Sequence, residues 1–323
     1  MINFDNPTEA QIFGILFGDD LLDRQPLGRG EVLLAHYTTA HAACEIIRSS
    51  ELWLTNLRRM NDIHEIQYGV GLVNQYFDGP EAARRRSFFA TVGLPDWPEF
   101  AESLNNPLWS LRHETFVSCL SEHPITGEEN GRLSMWRGYG HNESAALLIN
   151  PRVFDTITDH LGVFSLKVRY WEIDQLSKKL DYVQDSILRL GIDVIRTHSE
   201  VLHAWLRHFF TLLPLSLKHP GFREEQEWRI FHTADHNKKT VVKTRVQSVG
   251  GVPQIVKVLP LEDYSSQGGP DISIQSIYAG AIVGPTDSQL LVAEAIDHLL
   301  REKGVDDPEM IATLSLIPVR RRY

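Results

Sequence analysis

From residue 172 to 217 the apolar side chains recur at helical spacing (Leu176, Leu180, Val183, Ile187 and Leu190, then Val194 to Leu215). On both sides of that block they come instead in short runs of strand length. Val32–Tyr37, Leu52–Thr55, Thr115–Ser121, Ser144–Ile149 and Val163–Tyr170 precede or adjoin it, and 228–233, 240–246, 254–259, Ser276–Val283 and Ile311–Ile317 follow. A strand-rich chain interrupted by one helical block reads as α+β. The expectation is an N-terminal helical extension over 1–30 and one mixed domain over 31–323, with 172–217 as a helical insertion. The Trp205, Phe209, Phe210, Leu212 and Leu213 face of that insertion is expected to cover the sheet or to mediate self-association.

Local signals refine this reading. A helix is expected from Thr8 to Phe17, followed by a loop with Pro26, Gly28 and Gly30. Thr38 or Thr39 is suited to cap the next helix, and Asn61-Asp62 with Glu65 opens another that runs through Val73. Thr286-x-x-Gln289 has the form of a capping box for a helix over Asp287–Glu302. Residues 78–112 are the least regular part.

Composition sets outer limits on function. With 42% hydrophobic and 23% charged residues over 323 positions, the chain can bury a core without staples. No apolar run approaches the roughly 20 residues that cross a bilayer. The acidic start Met1-Ile2-Asn3-Phe4-Asp5 lacks a signal-peptide pattern, and only Cys44 and Cys119 are cysteines, so a cytoplasmic protein is expected. A formal charge of −10 argues against nucleic-acid binding by the whole surface. Arg84-Arg85-Arg86 and Arg320-Arg321-Arg322 are the two local exceptions, each also readable as a solvated surface run.

The candidate chemistry lies in segments far apart in sequence. His36-Tyr37-Thr38 sits on an early strand, Ser118-Cys119-Leu120-Ser121 on a middle one, and Glu225-x-Glu227-Trp228-Arg229 at a late one. If Glu225 and Glu227 share a strand, alternation turns both acids to one side. A carboxylate pair so placed could balance the positive charge of an oxocarbenium-like sugar. Each element also has a plainer reading. His36 also reads as a structural residue, Trp136-x-x-Tyr139 as a core pair rather than a stacking platform, and Arg229 as an ion-pair partner rather than a phosphate contact. Asn61, Asp62 and Glu65 form a polar helix start that reads as capping or as substrate binding. Neither His-Glu-x-x-His, a Walker loop nor Gly-x-Ser-x-Gly occurs, and no metal site is expected from the spacing of the histidines.

Taken together, His36-Tyr37-Thr38, Ile46-Ile47, Leu52-Trp53-Leu54-Thr55, Met60-Asn61-Asp62, Glu65, Phe116 to Ser121, Trp136-Arg137-x-Tyr139 and Glu225-x-Glu227-Trp228-Arg229 are similar to a bacterial family of unknown function, DUF2971, over about residues 30 to 322. The His-bearing opening also resembles the first motif of ADP-ribosyltransferases. That second resemblance implies a central split sheet and an enzyme that takes NAD as substrate. His36 would then hold a ribose, Tyr37-Thr38 cradle the nicotinamide amide, and Ser118 occupy the middle strand. Glu227 would be catalytic with Glu225 assisting, while Trp136, Tyr139 and Arg229 complete the cofactor contacts. It further implies a toxin or anti-phage effector with a nucleic-acid or protein acceptor and an antitoxin or defence partner. Tyr37 stands where that family has Gly, and the Ser118 segment lacks a Ser-Thr-Ser triplet. Two other readings remain open. One is a non-catalytic nucleotide- or partner-binding sensor; the other is a metal-dependent nuclease using Asp62, Glu65 and Glu225/Glu227, with Lys218 as helper.

Overall fold

The computed structural model describes residues 6–57, 63–92, 115–139, 143–151, 160–233, 240–249, 251–305 and 312–318, with only the backbone at 63–65. The architecture is α+β, with the chain divided into two compact units. One comprises residues 1–23, 57–114 and 167–223; the other comprises 24–56, 115–166 and 224–323.

The first unit is helical. It contains the start of α1 (Pro7–Gly28), then α3 (Ile63–Asp78), α4 (Ala82–Thr91), α6 (Ile173–Leu190), α7 (Ile192–Thr197) and α8 (Ser199–Ser216). The first helix runs past Phe17, where a loop was expected, continuing through Gly18 and Pro26 to Gly28. The aromatic face of α8 packs on helices of its own unit. Trp205 packs edge-on against Phe13, Phe209 against Phe17, and Phe210 against Phe89. Gly69 lets α3 approach α8 closely, since a Cβ there would sit 2.2 Å from the Pro214 carbonyl oxygen. The Arg84–Arg86 run lies on or beside α4 and is tied up in ion pairs with Glu81, Asp181 and Asp78. Arg85 also lies 3.9 Å from the Tyr76 ring centroid. A run so neutralised is a poor phosphate-binding patch. Arg320–Arg322 lie outside the described residues.

The second unit carries one ten-stranded sheet. Its strands are β1 (Val32–Thr39), β2 (Glu51–Asn56), β3 (Thr115–Pro124), β4 (Ser144–Ile149), β5 (Phe164–Lys167), β6 (Glu227–Thr233), β7 (Lys243–Val249), β8 (Val252–Pro260), β9 (Tyr278–Val283) and β10 (Ala312–Leu314). The main order is β10-β9-β4-β1-β3-β2-β8-β7, with β6 on the other edge of β3 and β5 beyond it. Its helices are α2 (Ala40–Ser49), α5 (Leu133–Tyr139), α9 (Ile274–Ile277) and α10 (Gln289–Glu302). Thr39 caps α2, its Oγ1 accepting from the Ala42 amide at 3.2 Å. The capping box expected at Thr286-x-x-Gln289 does not form. Ser288 takes the cap position, and the Gln289 amide donates to the carbonyls of Gly284 and Ser315, joining the ends of two strands.

Strand alternation gives the sheet two different faces. Leu34, Leu120, Leu147, Trp228 and Ile230 face one way and pack with Ala43, Ile46 and Ile47 of α2 and Ile296 and Leu299 of α10. Ala35, Tyr37, Ala146, Leu148 and Ile282 face the other way and pack with Met135 and Trp136 of α5. Each fully buried Leu or Ile contributes about 1.5–3 kcal/mol, so both faces resist a register slip.

Candidate functional site

The strand β3 is shared unevenly by its neighbours. On one edge β6 pairs with it along its length, from Thr115↔Thr233 to Ser121↔Glu227. On the other, β1 pairs only from Val32↔Pro124 to Ala35↔Ser121, and β2 only at Thr55↔Val117 and Asn56↔Phe116. Between them Ser118, Cys119 and Leu120 have no ladder partner on that edge among the described residues. The sheet is therefore split at β3, with β1 and β2 diverging from it.

His36 occupies the split. Its Nδ1 lies 2.9 Å from the Cys119 carbonyl oxygen, replacing a ladder bond that β1 no longer makes. A carbonyl only accepts, so Nδ1 carries the hydrogen. Desolvation lowers the His36 pKa below its ordinary value, against the opposing effect of the Cys119 hydrogen bond. The ring is consequently neutral near pH 7, with Nε2 as a lone-pair acceptor. Beyond His36, the backbone from Tyr37 to Thr39 pairs with β4 on one side, and among the described residues with no strand on the other.

The acids are arranged differently from the sequence expectation. Glu225 ends a 3-10 turn (Pro220–Glu225), Gln226 adopts a left-handed backbone at φ 42°, and β6 begins only at Glu227. The two carboxylates therefore do not share a strand, and alternation does not align them. Glu227 is 2% exposed and grips Arg229 with both oxygens, at 2.7 Å to Nε and 3.2 Å to the guanidinium. That bidentate pair makes Glu227 and Arg229 a buried structural unit rather than a free acid and a phosphate contact. Glu225 is only half-buried, and the Tyr139 hydroxyl donates to its Oε2 at 3.2 Å.

Arg132, which carries no sequence motif, organises this corner. It donates to the carbonyl oxygens of Glu122 and Glu224, to the Ser121 hydroxyl and to Gln226 Oε1. Its backbone amide donates to the Tyr37 hydroxyl at 3.1 Å. Ser121 donates to the Glu225 carbonyl oxygen. These bonds hold the left-handed turn at Gln226, which a non-glycine residue adopts only when its surroundings enforce it. No sequence motif marks such a hub.

The expected site residues thus fall on two faces. The registers put Tyr37, Ser121, Glu227 and Arg229 on the side of α5. They put His36, Thr38 and Ser118 on the opposite side, in line with Leu147, Ala145 and Ile230. The expectation that His36 and Glu227 border one surface is overturned by this alternation. Trp136 is 4% exposed, and its ring packs edge-on against Tyr37 with centroids 4.7 Å apart, so it is a core aromatic and not a stacking platform. Asn61, Asp62 and the side chain of Glu65 lie outside the described residues. Among the described residues no group of three or more His, Cys, Asp or Glu side chains could hold a metal ion, and no helix is long and apolar enough to cross a membrane.

No curated protein and no solved structure matches the chain. A family model does match, described as a protein of unknown function, DUF2971, over residues 135–230. The matched stretch holds Trp136, Tyr139 and the Glu225–Arg229 segment but stops short of His36 and Ser118, and is narrower than the resemblance read from 30 to 322. Over that stretch, less than a third of the chain, the sequence is similar to the DUF2971 family.

Proposed function

We propose that this protein is an NAD-consuming enzyme of the ADP-ribosyltransferase kind, with its substrate lying in the split of the sheet. The observation that carries the reading is His36, a neutral imidazole fixed at Nδ1 by the Cys119 carbonyl, whose Nε2 is left to accept from a hydroxyl. A ribose supplies such a donor. The open backbone edge from Tyr37 to Thr39 suits an amide such as that of nicotinamide. Because β1 and β2 diverge there, a ligand in the opening could meet groups from both faces, which the separation of His36 from the acids requires.

The catalytic carboxylate in this reading is Glu225 rather than Glu227. An acid that stabilises a cationic sugar must be reachable by it, and Glu225 is half-buried while Glu227 is sealed against Arg229. In the reaction, nicotinamide leaves with the electron pair of the glycosidic bond. Glu225 balances the positive ribose carbon, and a nucleophile that loses its proton completes the transfer. The acceptor would be a nucleic-acid base, a protein side chain or water; a toxin or anti-phage role, with an antitoxin or defence partner, rests on the resemblance and not on the chemistry.

The test is nicotinamide release from NAD by the purified protein, alone and with DNA, RNA or cell lysate. Glu225→Gln should reduce release at least about a hundredfold while the unfolding midpoint stays in place. Undiminished turnover in that variant removes the reading. A second reading, a nucleotide-binding sensor without turnover, is favoured by the burial of the Glu227–Arg229 pair. It would show as stabilisation by NAD with no nicotinamide released.

A further inference from the structure

We propose that the face bearing His36 also carries an anion subsite centred on Lys257, built for the diphosphate of a dinucleotide. This rests on the NAD reading above and extends it to a residue on β8, where no motif drew attention.

The registers bring Lys257 to that face. It lies opposite Leu54 on β2; Leu54 and Asn56 share a side of that strand, and Asn56 lies opposite Phe116 on β3. Phe116, Ser118 and Leu120 alternate along β3 on the same side, leading to the split where His36 sits. The contacts agree with the register. Lys257 Nζ is 5.5 Å from the centroid of the Phe116 ring and donates to Thr244 Oγ1 at 2.9 Å. Its charge also helps to lower the pKa of His232, which lies opposite Phe116.

Two features point to a ligand rather than to a structural lysine. Lys257 is half-buried, yet among the described residues no carboxylate lies within ion-pair distance of it. Its neighbour Arg245 is satisfied by Glu51, but those two side chains lie on the other face, in line with Val256 and Pro260. Ser118, between Phe116 and the split, is 4% exposed and its hydroxyl has no hydrogen-bond partner. An ammonium with no carboxylate beside it among the described residues and a buried hydroxyl without a partner both gain from an oxyanion. Thr244 holds the ammonium through one hydrogen, leaving two donors for phosphate oxygens.

Isothermal titration of the full chain with ADP-ribose, inorganic pyrophosphate and adenosine tests the subsite in wild type, Lys257→Gln and Lys257→Arg. Wild type should bind the first two. Lys257→Gln should weaken both by about tenfold to a hundredfold without moving the unfolding midpoint or changing adenosine binding, and Lys257→Arg should recover most of the loss. If Lys257→Gln binds ADP-ribose as wild type does, the subsite is overturned and the NAD reading survives. If pyrophosphate binds through Lys257 while ADP-ribose does not bind, the subsite stands and the NAD reading falls. Failure of wild type to bind either anion overturns both.

Discussion

Replacing Glu227 by Gln separates a structural acid from a catalytic one. The carboxylate and the Arg229 guanidinium are 2% and 1% exposed, joined at 2.7 and 3.2 Å. With charge centres about 4 Å apart and an effective dielectric of about 20, their attraction is on the order of 4 kcal/mol. Gln keeps the shape and an acceptor, recovering about 1 kcal/mol of hydrogen bonding. The net loss should be about 3 kcal/mol, the range seen when one partner of a buried pair is removed. Urea unfolding followed by tryptophan fluorescence reads it, since Trp228 of the same strand is buried on the opposite face of the sheet. Arg229→Met in the Glu227→Gln background removes the guanidinium that Glu227 gripped and should restore about 2 kcal/mol, a coupling that a double-mutant cycle isolates. A Glu227→Gln protein within about 0.5 kcal/mol of wild type would show that the pair does not hold β6, and would return Glu227 to the list of acids available to substrate.

Other expectations can be checked by the same unfolding measurements. Gly69→Ala should destabilise by several kcal/mol, on the order of a severe overpacking defect, because its Cβ meets the Pro214 backbone at 2.2 Å; a change under about 1 kcal/mol would mean that α3 and α8 shift apart easily. At Gln226, with φ 42°, Gln226→Val should cost about 2 kcal/mol and Gln226→Gly should be nearly neutral, so equal effects would contradict the left-handed turn. His36, His123 and His232 each have a pKa lowered by desolvation. The unfolded chain then binds more protons, so stability should be level above about pH 6.5 and fall on acidification below it. Each proton contributes a slope of at most about 1.4 kcal/mol per pH unit, and a flat profile from pH 7 to 5.5 would refute it.

Much of the secondary structure was legible because burial imposes its period on the sequence. Thr115–Ser121, Ser144–Ile149 and 228–233 read as strands since each strand packs on a core face, and Leu176 to Leu190 reads as a helix for the same reason. Positions decided by tertiary partners were less legible. Gln289 looks like half of a capping box, yet its amide is drawn to carbonyls of Gly284 and Ser315, one of them far away in sequence. The Glu225-x-Glu227 spacing promises alignment only if the backbone is extended. A left-handed residue held from outside by Arg132 breaks that condition, and no local rule announces it. The division into two units was hidden because each is assembled from three separated segments.

The parity of the sheet also bears on where chemistry can occur. A substrate lying flat on one face could meet His36 with Ser118, or Tyr37 with the acids, but not both sets, because neighbouring residues on β1 point to opposite sides. Only at the split does β3 expose an edge instead of a face. The Cys119 carbonyl there is already bound by an imidazole instead of a strand. If β1 and β2 closed on β3, that carbonyl would enter a ladder and His36 would lose its anchor. The divergence of the strands and the fixed tautomer of His36 are thus one structural fact. His36→Phe should therefore lower any affinity for NAD without restoring a continuous sheet, since phenylalanine offers β3 no donor.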